Sequence, residues 1–251
     1  MKKIKTLAPV HLVHLFLLAL LALSTQALPV AHAENYVDPT TQMEFVKIAG
    51  GCFEMGCSDF SGPCDDDEKP RHPVCIGDYY IATTEVTVTQ FMDFQLSTGY
   101  FTEAENGGSC QVWVDDHYED KEKINWKNLR FVQAKDYPVV CVSLDDAKAF
   151  AKWLSKRSEM NYRLPTEAEW EWAARGAGQR QAFPTSNGGL TTIAEDGNAT
   201  RFGANFEGKE ALDKYKFLSP VATFEPSVLG LYDMAGNAWE WTLDIYARDA
   251  Y

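Results

Sequence analysis

Six cysteines constrain this chain more than any other feature of its 251 residues: Cys52, Cys57, Cys64, Cys75, Cys110 and Cys141. All six follow a leader that reads as an export address. Lys2, Lys3 and Lys5 make a basic start, and Leu12 to Leu23 is apolar apart from His14. Ala31-His32-Ala33 then supplies the small-x-small signature of a cleavage site before Glu34. A retained membrane anchor is the rival reading. His11 and His14 interrupt the stretch from Ala8 to Leu23, which also falls short of the ~20 residues that a span needs. Residues 1–33 are expected to be a cleaved signal peptide, and the mature chain to be secreted or periplasmic. In an oxidising compartment an even cysteine count favours disulfides over free thiols. Six cysteines allow fifteen pairings, among which spacing does not choose. A metal site is the weaker reading, because there is no C-x-x-C and only His72 and His117 survive cleavage.

Charge narrows the partners. Lys and Arg number 23 against 36 Asp and Glu, a net charge of −13, and no basic cluster follows residue 5. A nucleic-acid partner needs a basic face, so none is expected. No later segment is long and apolar enough to span a bilayer, so no membrane association is expected once the leader is removed.

Residues 34–42 are polar and read as a flexible lead. Met43 to Ile48 reads as a strand stopped by Gly50-Gly51, with Cys52 to Met55 as its hairpin partner. Asp59 to Pro73 reads as a loop carrying the acid run Asp65-Asp66-Asp67-Glu68, best taken as a solvated surface. Val74 to Ile76 and Tyr79 to Ala82 are strand-like. Three helices announce their starts with capping boxes: Thr87 with Gln90, Ser143 with Asp146, and Thr166 with Glu169. Residues 176 to 228 are rich in Gly, Asn, Thr and Pro, and an irregular stretch that long needs something to hold it, such as a metal or a partner. With no repeat and no linker, residues 43–251 read as one irregular α+β domain.

The usual catalytic groupings are missing. There is no G-x-S-x-G, no G-x-x-x-x-G-K-[ST] and no G-x-G-x-x-G. His72 and His117 lie in polar stretches and read as exposed structural residues. The informative block runs from Leu229 to Thr242. Asp233 and Glu240 are hard oxygen ligands flanking Gly236, a glycine that would let carbonyls turn inward, which is chemistry suited to Ca²⁺. A tight turn packed by Trp239 and Trp241 is the bland alternative.

The order of motifs resembles the formylglycine-generating (sulfatase-modifying factor) enzyme family from about Met43 to Asp244. Glu44 to Gly56 precedes Glu68 to Val74, then come Thr84-Glu85-Val86-Thr87, Tyr137 to Ser143, Tyr162 to Gly176, and the block ending Trp239-Glu240-Trp241. The resemblance implies a domain of low regular secondary structure, related to the C-type-lectin fold, with two structural calcium ions. One ion would use Asn205, Phe206, Asp213 and Tyr215, the other Asp233, Gly236, Ala238 and Glu240. It also implies disulfides Cys52–Cys75 and Cys110–Cys141, leaving Cys57 with Cys64 as a short loop closure.

Members of that family oxidise a sulfatase cysteine to formylglycine with O₂, using Cu(I) held by two cysteines in a segment after an Arg-Gly-Gly-Ser-Trp strand. Neither that strand nor the copper pair is found in these 251 residues, and none of the six cysteines matches it. The related iron-dependent sulfoxide synthases need three histidines, and two remain. The expectation is an exported family member lacking the copper segment and without the oxidase activity as it stands, with a sulfatase-like or other exported protein as partner. The alternatives are a calcium-stabilised non-catalytic binding or accessory module, or a degenerate fragment.

Overall fold

The computed structural model describes residues 35–57, 64–114, 117–131, 133–179, 183–189, 191–193, 199–202, 204–205 and 215–247, all within the compact unit 32–251. The expected signal peptide, residues 1–33, lies outside the described residues. The stretch 34–42, expected as a flexible lead, is structured from residue 35 onward. Tyr36–Val37 (β1) pairs with Glu44–Ile48 (β2), and Asp38 is fully buried. The Asp38 carboxylate accepts from Thr40 N, Thr41 N, Ser158 Oγ and Tyr162 Oη, which anchors the segment. An isolated polar run gives no hint of the two distant donors, Ser158 and Tyr162.

The expected hairpin between β2 and Cys52–Met55 does not form. β2 instead pairs with Tyr79–Ala82, while Gly51–Met55 (β3) pairs antiparallel with His72–Ile76 (β4), placing Cys52 opposite Cys75. The glycines serve a crossing rather than a turn. A Cβ at Gly50 would collide with the Ile76 carbonyl, and one at Gly51 would sit 2.8 Å from the Trp172 ring. Tyr79–Ala82 is β5.

All three capping boxes form as read. Val88–Thr98 (α1) is capped by Thr87 and Gln90 and ends at Gly99, whose φ of 68° suits a residue without Cβ. Ser109–Val114 (β6) and His117–Glu122 (β7) then make a hairpin that the strand reading had not assigned. Leu144–Ser158 (α2) and Glu167–Ala174 (α3) follow, and Thr191–Ile193 (β8) pairs with Ala199–Phe202 (β9) inside the long irregular stretch. The result is α+β, with few helices and small sheets.

Two hydrophobic clusters hold these elements. One gathers Phe45, Phe91, Phe94, Trp126, Phe150, Trp153 and Leu154 around α1 and α2. The other packs Val46 and Ile48 of β2 against Trp172 and Ala173 of α3 and against Leu231 and Met234. That second cluster carries the block 229–242 onto the sheet. Three disulfides add to it, Cys52–Cys75, Cys57–Cys64 and Cys110–Cys141, matching the pairing that the resemblance implied. The acid run Asp65 to Glu68 is exposed, with a single 3₁₀ turn at Asp66–Glu68.

A buried carboxylate site at the end of the central sheet

The block 229–242 is pinned from several sides. Leu231 is fully buried, and the Tyr232 N–H donates to the Thr83 carbonyl at 2.9 Å, just past the end of β5. Glu85, between β5 and the α1 cap, is thereby brought beside Asp233. Trp170 of α3 donates its indole N–H to Glu240 Oε2 at 3.0 Å, and Trp241 donates to the Val142 carbonyl at 3.0 Å. Backbone turns 83–85 and 232–237 therefore face each other across the site.

Three acidic groups converge there. Asp233 accepts from Ala222 N through Oδ2 at 2.8 Å, and Glu85 accepts from Asn237 Nδ2 through Oε1 at 2.9 Å. Their other oxygens, Asp233 Oδ1 and Glu85 Oε2, are buried with no hydrogen-bond partner outside the pair, and a proton on Glu85 would bond it to Asp233. Such an atom costs roughly 1–3 kcal/mol or more, so it points to a missing proton or cation. Burial pushes the Glu85 carboxyl up to about 9, reinforced by the charges of Asp233 and Glu240. Asp233 is raised as well, chiefly by burial. Glu240 is raised by the protein packed around its carboxyl and then by Asp233. The residue as a whole is exposed, so packing density near the carboxyl rather than full removal from water is the cause.

The left-handed positions of this turn are Asp233 at φ 58° and Asn237 at φ 72°, not Gly236 as the glycine's presence led one to expect. Asp and Asn tolerate that conformation better than other side chains, which offsets the loss of the glycine route. The Gly236 carbonyl accepts from Ala238 N at 3.0 Å and keeps a second lone pair. Among the described residues no three His, Cys, Asp or Glu side chains form a ready-made metal cage, so a cation here would draw on backbone carbonyls as well.

The other predicted ligand set is only half visible. Asn205 is buried, donating through Nδ2 to the Phe217 carbonyl at 2.9 Å and to Asn237 Oδ1 at 3.1 Å. Tyr215 stacks edge-on with Phe224. Phe206 and Asp213 lie outside the described residues. Asn237 links the two regions, since its N–H donates to the Asn205 carbonyl at 2.7 Å and its Oδ1 accepts from Ser219 N at 2.9 Å. Sequence reading missed Glu85 and Asn237 as site residues. An Asn directly after Gly236 was a turn signal; Glu85 lies in the Thr84–Thr87 motif that carried the resemblance, but nothing local gave it a site role, and it stands 152 residues from its partner Asn237.

Copper does not fit these residues. Every cysteine sulfur of the chain is committed to a disulfide, so no thiolate pair is offered to a soft ion.

Set beside known proteins, the fold is of the formylglycine-generating-enzyme type. The solved structure of PvdO from Pseudomonas aeruginosa superposes with a TM-score of 0.65 at 30% identity, covering 86% of this chain and 76% of that one. A family profile described as "Sulfatase-modifying factor enzyme 1-like domain" matches residues 32–251, and the chain belongs to that family. The formylglycine-generating enzyme of Bos taurus is 33% identical over 230 residues, and this chain spans 59% of its length. The inactive C-alpha-formylglycine-generating enzyme 2 of Bos taurus is 32% identical, with 81% of this chain and 71% of that protein covered. Identity to the active and the inactive relative is thus nearly equal and does not separate them.

Proposed function

We propose that this chain is an exported, calcium-stabilised domain of the formylglycine-generating-enzyme family that engages a sulfatase-like or other exported protein, without itself oxidising a cysteine through these 251 residues. The carrying observation is that Glu85 and Asp233 are buried against each other, each with an oxygen that no other protein group satisfies, so that they share either a proton or a cation. Two carboxylates held together in a buried turn favour a hard divalent cation over separate solvation. Asp233 and Glu240 would hold it with the carbonyls of Gly236 and Ala238, with Glu85 beside Asp233 adding negative charge, and Asn205, Phe206, Asp213 and Tyr215 would hold the second. Bound calcium would neutralise the carboxylates and tie the turn 232–240 to the end of β5. Export is supported by the leader and by three disulfides, and an intact mass that begins at Glu34 checks it.

The test is thermal melting with calcium and with chelator. A ligand held only by the folded state stabilises it by RT ln(1 + [L]/Kd), so chelation should lower Tm, and Glu85→Gln should blunt that response. A melting curve indifferent to both would remove the calcium reading. The competing reading is the oxidase itself, favoured by the 33% identity to the Bos taurus enzyme. Incubating the copper-loaded protein with a Cys-x-Pro-x-Arg peptide decides between them. Aldehyde formation detected by mass spectrometry would establish the oxidase, and its absence is the expected result.

A further inference from the structure

The tripeptide Asn-Gly-Gly occurs twice, at Asn106-Gly107-Gly108 and at Asn187-Gly188-Gly189, and the fold treats the two copies differently. An asparagine followed by glycine carries a latent reaction, because the glycine nitrogen can reach the side-chain carbonyl carbon one residue back. Glycine has no Cβ to obstruct that approach. Asparagine is heat-labile largely for this reason.

The second copy is locked. Asn187 Oδ1 accepts from Gly189 N at 3.0 Å and from Thr185 Oγ1 at 3.3 Å. Gly188 N, the nitrogen that would attack, donates to the Thr185 carbonyl at 3.3 Å. Thr185 is itself buried, and its hydroxyl lies 2.6 Å from the Gly189 carbonyl. Turning the Asn187 side chain onto Gly188 N must break these bonds.

The first copy has no such lock. Asn106 is held in the turn between α1 and β6 by its backbone, whose N–H donates to the Thr102 carbonyl at 3.0 Å. Its side chain is exposed. Nδ2 makes one bond, to the Phe101 carbonyl at 3.3 Å, and Oδ1 makes none among the described residues. Gly107 N likewise donates to no group among the described residues. At Gly107 φ is 97°, and nothing lies within 4 Å of where a Cβ would stand, which leaves room for a ring and for water.

We propose that Asn106 is a site of spontaneous deamidation in the folded protein, and that the fold protects Asn187. The Gly107 nitrogen bonds to Asn106 Cγ, the Cγ–Nδ2 bond breaks, and ammonia leaves with the proton from Gly107. Water then opens the cyclic imide. Cleavage of the new N–Cγ bond gives aspartate, and cleavage of the original peptide bond gives isoaspartate, whose main chain runs through Cβ and Cγ. Water is the only co-reactant. Either product adds a carboxylate beside Glu105, and isoaspartate also lengthens the main chain by a methylene ahead of Cys110 and its disulfide.

Ageing the purified protein in mildly alkaline buffer and mapping its peptides by mass spectrometry tests this, each molecule serving as its own control. Asn106 should convert about tenfold or more faster than Asn187, the rate equivalent of the hydrogen bonds that must open around Asn187. With the disulfides reduced and the chain unfolded in urea, the two copies should convert at similar rates, because the fold is what distinguishes them. Asn106→Ser should remove the first acidic form that anion exchange resolves on ageing. Equal rates in the folded protein, faster conversion at Asn187, or an acidic form that survives Asn106→Ser would overturn the proposal. A rate ratio that persists in urea would overturn it too, by placing the cause in the flanking residues.

Discussion

Glu105 offers the sharpest energetic test of how this fold is held. Its side chain is 9% exposed and accepts from Gln95 Nε2 at 2.8 Å, Thr102 N at 3.0 Å, Thr102 Oγ1 at 3.1 Å and Trp126 Nε1 at 3.2 Å, with Lys127 Nζ at 2.8 Å on the other oxygen. Burial alone would raise its pKa. The bonds from Lys127, Thr102, Gln95 and Trp126 outweigh that and bring it down to about 2. A fall from the ordinary 4.5 to about 2 is worth about 3 kcal/mol, at about 1.4 kcal/mol per tenfold change in proton affinity. Because the folded-state value is depressed, this stability is present above about pH 4.5 and is lost as the pH falls toward 2. Glu105→Gln keeps the shape and removes the charge. Urea titrations at neutral pH should show a loss of about 2–3 kcal/mol, with Tm lower by about 5–10 °C. The gap between parent and variant should close between pH 4.5 and 2, where the parent carboxyl becomes neutral as well. A gap of the same size at pH 7 and pH 2, or no gap at neutral pH, would refute the reasoning.

Two further outcomes follow from packing and covalent links. Gly51→Ala sets a methyl 2.8 Å from the Trp172 ring, an overpacking worth about 1–3 kcal/mol, and should lower Tm while Gly77→Ala, whose Cβ meets nothing within 4 Å, should not. Cys110→Ser should cost about 2–5 kcal/mol in denaturant titration, and peptide mapping of the parent should recover Cys110 with Cys141 rather than as a free thiol.

The elements legible in the sequence were those set by local rules. Each capping box satisfies backbone N–H groups within four residues, so Thr87, Ser143 and Thr166 fix their helix starts whatever the rest of the chain does. The informative turn could also be read, because Asp233, Gly236 and Glu240 lie in one short block. Pairing between strands could not. β2 and β3 are adjacent and look like a hairpin, yet β2 joins β5 and β3 joins β4, since Gly50 and Gly51 are consumed by close contacts with Ile76 and Trp172. Asp38 shows the same limit, as two donors 120 and 124 residues away, Ser158 and Tyr162, decide that a polar lead becomes a buried anchor. So does Glu85, part of a recognised motif but without a site role until the Tyr232–Thr83 hydrogen bond brings Asp233 against it. Residues that satisfy one another along the chain leave a signature in the sequence. A carboxylate whose meaning depends on burial against a group 148 positions away acquires it only when hydrophobic packing of Leu231 and Met234 on β2 and α3 removes the water between them.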